Sequence, residues 1–267
     1  MIKLTVAGAA GRMGKTILQL ASQDPAFKIV GGTEHRGHAM LGQDLGLILG
    51  KDPVGVAVLQ DPVASLKTAD VMIDFSHFAA LAENLEAAVL TRTAYVIGTT
   101  GIPDAMFKKI QAASKKIPIV QSPNMSIGVN LLFKLAAMAG AALDESYDLE
   151  ILEIHHRMKK DAPSGTALKL LEILAAARGR HFRKDVVFGR KGETGVRERG
   201  KIGVFALRGG DVVGEHTVSF FGDGERIELV HKASSRESFA RGALLAAKFL
   251  AKKKQGLYHM QHVLDMG

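Results

Sequence analysis

The chain has 267 residues, 47% of them hydrophobic, which is enough for one large or two ordinary domains around a sizeable core. It contains no Cys, which excludes disulfides, thiol catalysis and Cys-ligated zinc or iron–sulfur clusters and fits a cytoplasmic protein. The formal net charge of +8 suits nucleic acid, an anionic surface or small anionic ligands, but with no Trp and 3 Tyr the chain is poor in stacking platforms for single strands.

No apolar run approaches the length of a membrane span. The opening MIKLTVAGAAGRMG reaches its glycines too early for the apolar region of a signal peptide. Residues 2–7 (IKLTVA) predict a short strand, GAAGRMG a turn, and KTILQLASQ a helix with Ile17, Leu18 and Ala21 inward. A strand, a glycine turn and a helix in that order is the setting of a dinucleotide fingerprint. The glycines are Gly8, Gly11 and Gly14, a GxxGxxG in place of GxGxxG. The physics is shared: no Cβ at the turn, close approach of backbone to a pyrophosphate, and free N–H groups at a helix start.

The next apolar run, FKIVGGTE, ends in Glu34, where an acid can accept from a ribose hydroxyl. His35 and Arg36 follow, and a cation there can hold the 2′-phosphate of an NADP-type cofactor, so use of both NADH and NADPH is expected. The imidazole's share of that help fades as pH rises.

The alternation continues through ADVMIDFS (strand), HFAALAENLEAAVL (helix), AYVIGTTG (strand and turn), PDAMFKKIQAASKK (helix) and IPIVQSPN (strand). This predicts a Rossmann-like, doubly wound parallel sheet with ligands beyond the carboxyl ends of its strands. Three polar turns fall there: residues 8–14, Gly98-Thr99-Thr100-Gly101 and Ser122-Pro123-Asn124.

MSIGVNLLFKLAAMAGAAL then predicts a long helix leading out of the first unit, and YDLEILEIHH a strand. On that strand Leu149, Ile151 and Glu153 share one face, while Glu150, Leu152 and Ile154 share the other. A helix over 165–177, a polar loop and three strands (IGVFALRGG, VVGEHTVSFFG, RIELVHKA) follow, with hairpin turns expected at Gly209-Gly210 and Asp223-Gly224. This second unit reads as α+β with a mostly antiparallel sheet. RESFARGALLAAKFLAKK predicts a closing helix with Phe239, Ala243, Ala246 and Leu250 on one stripe, packed back on the first unit. The expected domains are therefore 1–123, completed by a C-terminal helix 236–267, and 124–235 for substrate binding and oligomerisation.

The densest chemistry lies in IHHRMKKDAPSGT, residues 154–166. On a strand His155 and His156 point to opposite faces, so they cannot readily chelate one ion, and no metal site is expected. Lys159 and Lys160 follow, and APSGT opens the next helix, aiming the N–H groups of Gly165 and Thr166 at whatever Lys159 attracts. A lysine, a hydroxyl and a helix start make a site for a small polyanion, with a histidine at hand to move a proton. Paired with a nicotinamide, the stretch predicts reduction of an activated double bond.

VAGAAGRMG, DFS, GTTG, SPNMSIGVN, EIHHRMKKDAPSGTA and GEHTVSF together resemble the dihydrodipicolinate reductase family from end to end. The resemblance implies NAD(P)H-dependent reduction of a cyclic dicarboxylate in the diaminopimelate route to lysine. It implies His155 as proton donor, with Lys159 assisting and binding a carboxylate, and His156 with the Gly165–Thr166 backbone holding substrate. Gly8, Ala9, Ala10, Gly11, Arg12, Met13, Glu34, Gly98, Thr99, Thr100, Ser122, Pro123, Asn124 and Met125 would line the cofactor. Many members place Arg directly after the ribose-binding acid, whereas this chain has His35 and then Arg36. A homotetramer built through the second-domain sheet is also implied. Two other classes compete. A non-catalytic dinucleotide-binding regulator with a nucleic-acid ligand accounts for the charge but not for the His, Lys and helix-start cluster, so no nucleic-acid partner is expected. A dehydrogenase of an acidic amino-acid derivative is the alternative among enzymes.

Overall fold

Strand β1 (Ile2–Ala7) is buried over Leu4 to Ala7, so both faces are covered and the burial does not alternate as it would on a half-exposed strand. The computed structural model describes residues 1–266. After β1 come α1 (Arg12–Ala21), β2 (Phe27–Thr33), α2 (Leu45–Ile48), β3 (Val58–Leu59), α3 (Pro62–Leu66) and β4 (Val71–Asp74). A 3-10 turn (Phe78–Ala80) runs into α4 (Leu81–Thr91), followed by β5 (Ala94–Ile97), α5 (Asp104–Ala113) and β6 (Pro118–Gln121). The chain goes on through α6 (Ile127–Ala142), β7 (Asp148–His155), α7 (Gly165–Ala177), β8 (Val186–Phe188), β9 (Ile202–Arg208), β10 (Gly214–Gly222) and β11 (Glu225–Ala233). It closes with α8 (Glu237–Leu250), β12 (Gly256–Tyr258) and α9 (Met260–Val263). Two units result: Met1–Ile127 with the segment from Arg236 onward, and Gly128–Ser235.

The first unit carries a 7-stranded sheet in the order β12-β6-β5-β4-β1-β2-β3, every pairing parallel. The strand order reverses beside β1, where β2 lies on one side and β4 on the other, and such a switch point leaves a crevice at the carboxyl ends. Ile17 and Leu18 of α1 and Ala243, Ala246 and Leu250 of α8 share one core with Leu4 and Val6. The closing segment is not one long helix. Helix α8 stops at Leu250, Lys252 to Gln255 are exposed, and Gly256 at φ +128° turns the chain so that β12 can add to β6. A helix cannot pass through that conformation.

The second unit is a mixed 5-stranded sheet in the order β11-β10-β7-β9-β8. β10 and β11 form the hairpin expected at Asp223-Gly224, and β10 is antiparallel to β7. β9 runs parallel to both β7 and β8, so the expected antiparallel character holds on one side of β7 only. Gly209-Gly210 is therefore no hairpin turn. It crosses the end of β7, where Gly209 N–H donates to His155 C=O (2.9 Å) and Arg157 N–H to Gly210 C=O (3.2 Å). Among the described residues no helix is long and apolar enough to cross a membrane.

Candidate active site

Beyond the carboxyl ends of β1 and β4 lies a cleft of about 830 Å³. The first turn contributes Gly8, Gly11, Arg12 and Met13, and the end of β2 contributes Glu34, His35 and Arg36. A neighbouring hollow of about 490 Å³ shares Met13, Phe75, Ser76, His77 and Arg236 with it. That hollow adds Gly98, Thr99 and Thr100 beyond β5 and Pro123, Asn124 and Met125 beyond β6. Three expected residues support these walls without lining them. Ala9 is fully buried, Ala10 gives its N–H to Glu34 Oε1 (2.9 Å), and the buried Ser122 donates its hydroxyl to Asn124 C=O (2.9 Å).

The turn is shaped for a ligand that approaches backbone. Gly8 sits at φ +65°, and a Cβ on Gly14 would stand 2.0 Å from Gly8 O. A Cβ on Gly98 would stand 2.4 Å from the Phe75 ring. These cradles, the volume and the acid at the end of β2 fit a dinucleotide.

Sequence reading missed what ties the walls together. Asp74 is fully buried and accepts from Tyr95 OH (2.5 Å), Asn84 Nδ2 (2.9 Å), Ser76 N–H (2.7 Å) and Thr99 OH (3.3 Å). Burial first, and then the Asp74 charge, push the Tyr95 phenol well above its usual range, so Tyr95 stays a donor. One carboxylate thus joins the turns after β4 and β5; the Asp of DFS was the available signal. Glu34, His35 and His38 also bring one ligand atom each to within 4.8 Å of one another, a trio foreseen by neither spacing nor composition.

In the second unit the alternation of β7 puts Leu149, Ile151, Glu153 and His155 on its buried face. His155 is 9% exposed, whereas His156 is half-buried, as opposite faces require. Glu153 has no exposed surface and is gripped from four directions. Its Oε2 lies 2.5 Å from His155 Nδ1 and 2.9 Å from Arg208 Nη1, and its Oε1 accepts from Arg208 Nη2 (2.8 Å) and Ser164 N–H (2.9 Å). Burial pushes the Glu153 carboxyl upward, but these donors outweigh it and hold it below its ordinary value. His155 is lowered, first by burial and then by Lys159 and Arg208, with Glu153 acting against them. The buried His216 ring on β10 lies 5.3 Å from that of His155, and burial brings it down to about 3.

Lys159 Nζ is 2.9 Å from Asp161 Oδ2, so the positive run is partly neutralised by its own neighbour. Ser164 caps α7, its hydroxyl accepting from Ala167 N–H (3.2 Å). Gly165 is exposed and Thr166 buried ahead of the first intrahelical bond, Leu168 N–H to Ser164 C=O (2.9 Å). Glu153, Ser164, Arg208 and His216 were not anticipated as site residues. The signal for Glu153 was its spacing, two residues before His155 on one strand face.

The first unit has the architecture of a dinucleotide-binding domain, and the second presents a buried carboxylate–imidazole pair beside a lysine. These are the parts of a pyridine-nucleotide-dependent oxidoreductase. Residues 2–125 match the family described as dihydrodipicolinate reductase, N-terminus, and residues 128–264 match dihydrodipicolinate reductase, C-terminus. The 4-hydroxy-tetrahydrodipicolinate reductase of Anaeromyxobacter sp. (strain Fw109-5) is 50% identical over 266 residues, covering 100% of this chain and 98% of the relative. That of Syntrophobacter fumaroxidans is 46% identical, covering 100% of each. A dipicolinate-bound dihydrodipicolinate reductase from Paenisporosarcina sp. TG-14 superposes with a TM-score of 0.76 at 24% identity, covering 97% of each chain, a likeness of fold. The chain belongs to the dihydrodipicolinate reductase family and is an oxidoreductase.

Proposed function

We propose that the protein reduces 4-hydroxy-tetrahydrodipicolinate to tetrahydrodipicolinate with NADH or NADPH, in the diaminopimelate route to lysine in the cytoplasm. The reaction adds one hydride and one proton to the substrate and releases one water. A reduced nicotinamide bound to the first unit supplies the hydride. His155 donates the proton, and Lys159 assists and pairs with a substrate carboxylate. His156 and the Gly165–Thr166 backbone hold the remaining carboxylate. The observation that carries this reading is the buried Glu153–His155 pair with Lys159 four residues beyond His155.

Burial, more than any other influence, holds His155 below its ordinary value, and an acid must be protonated to act. A dicarboxylate beside it favours the imidazolium, so substrate binding itself readies the donor. The same attraction draws Lys159 from Asp161. The deciding experiment supplies aspartate semialdehyde, pyruvate and the preceding synthase, and follows NADH and NADPH oxidation by the loss of dihydronicotinamide absorbance. Oxidation of neither cofactor ends the proposal.

Lys159→Ala is expected to weaken inhibition by dipicolinate and to lower turnover together, because a charge pair made in both complexes is lost. Unchanged dipicolinate inhibition in that variant makes Lys159 a surface charge paired only with Asp161.

For the cofactor, Glu34 suits the ribose hydroxyls of NADH and repels a 2′-phosphate, while His35 and Arg36 line the same cleft and offset that repulsion. Both cofactors are therefore expected to serve. Arg36→Ala should lower the NADPH efficiency by about tenfold, the equivalent of one charge-assisted hydrogen bond, and leave NADH unmoved. His35→Ala should act in the same sense and more weakly. Equal effects on the two cofactors remove both residues from phosphate reading. The exposed Ile227 and Val230 on β11 support assembly of a homotetramer through the second sheet.

A further inference from the structure

We propose that Glu153 is the positioning residue of the reaction, holding the His155 ring so that its transferable proton sits on Nε2, and that Gly214 keeps the approach to that nitrogen open. The proposal deepens the reading of His155 as the acid and rests on it.

A carboxylate with no exposed surface persists only if its charge is matched by donors. Glu153 has four: two from the Arg208 fork, one from Ser164 N–H and one from His155. Because an ionised carboxylate only accepts, the ring nitrogen facing it must carry hydrogen. Nδ1–H is therefore present in both protonation states, and the proton gained or lost by the ring is the one on Nε2. Register makes the arrangement rigid: Arg208 pairs with His155 across β9, and His216 with Glu153 across β10. The ring cannot turn without breaking its Nδ1 contact to Glu153.

The other side of the ring explains Gly214. This glycine is buried near the start of β10, and its backbone is not in the left-handed region, so chain conformation does not require glycine. Space does. A Cβ there would lie 3.0 Å from His155 Nε2 and 3.3 Å from Cδ2. Any side chain at 214 would stand against the nitrogen that must meet the substrate. One neighbour therefore anchors Nδ1 while the absence of another clears Nε2.

The titratable groups facing His155 are Glu153 on β7, Arg208 on β9, His216 on β10 and Lys159 on the loop after β7, with Asp161 paired to that lysine. Burial, Lys159 and Arg208 lower the imidazole's proton affinity, and Glu153 raises it. His216, brought down to about 3, is uncharged across the working range and adds no competing cation. Removal of the Glu153 charge must then move the His155 titration to lower pH.

The test is the pH dependence of kcat/KM in the coupled assay for the parent, Glu153→Gln and Gly214→Ala, with far-UV circular dichroism as the check on folding. For Glu153→Gln we expect the alkaline limb to move about 1–3 pH units toward acid, as loss of an adjacent opposite charge requires. Turnover should fall about 10²-fold or more, since the amide can also present a donor to Nδ1 and favour the wrong tautomer. The NADH dissociation constant should be unmoved. For Gly214→Ala we expect turnover about tenfold lower with the pH break in place, as overpacking of a kilocalorie or two at the reacting nitrogen gives. A folded Glu153→Gln protein with the parental pH break overturns the proposal. Should that variant not fold, Gly214→Ala decides, and parental turnover there overturns it. The underlying reading fails separately, if His155→Gln keeps its activity.

Discussion

Replacing His155 with Gln is expected to lower turnover by about 10²–10⁴-fold, the usual contribution of a positioned general acid. Glutamine keeps a polar group of similar reach, so the Glu153 carboxylate retains a donor and the second unit keeps its fold. The lost function is proton delivery alone. The NADH dissociation constant should stay within a few-fold of the parent, because the cleft that fits the dinucleotide is lined by residues of the first unit only. The measurements are single-turnover reduction in the coupled system and NADH binding by fluorescence. Turnover within a few-fold of the parent would remove His155 from the mechanism.

Gly14→Ala is expected to disable the other half of the reaction. The added methyl would lie 2.0 Å from Gly8 O and 2.8 Å from the Ala9 Cα, both backbone atoms that cannot swing aside. Either the turn or α1 must shift, at a cost of about 1–3 kcal/mol of overpacking. A shifted turn also misaims the N–H groups that a pyrophosphate needs, so dinucleotide affinity should fall at least about tenfold beyond the stability loss. Gly11→Ala provides the control: its Cβ meets only Gly8 O at 3.1 Å, and φ there is −70°. We expect the Gly14 variant to show a lower thermal midpoint and weak NADH binding, and the Gly11 variant a smaller change in both. Equal binding by parent and Gly14→Ala protein would mean that the first turn does not cradle the cofactor.

The features legible in the sequence are those that local chemistry dictates. IKLTVA followed by Gly8, Gly11 and Gly14 could be read as a strand, turn and helix because only glycine lets that turn approach a helix so closely. The alternation of β7 could be read because side chains on a strand have a period of two, which puts Leu149, Ile151 and Glu153 on one face and sets His155 opposite His156. Glu34 could be placed at the end of β2 from spacing alone.

What the tertiary structure decided depends on pairings between segments far apart in the chain, which no local period encodes. Gly209-Gly210 has the composition of a hairpin turn, yet β9 pairs with β7 in parallel and the turn crosses the end of β7 instead. The seventh strand of the first sheet comes from Gly256–Tyr258, inside the stretch 236–267 expected to be the closing helix. Arg208 lies 55 positions from Glu153 and Ser164 lies 11 away, so the donors that keep the carboxylate ionised were invisible until β9 and α7 were placed. Asp74 likewise draws Tyr95 from the neighbouring strand β5 and Thr99 from the turn after it. Periodicity determines which face a side chain occupies; only the register between strands determines whom it meets there, because hydrogen-bonded neighbours are chosen by the whole sheet.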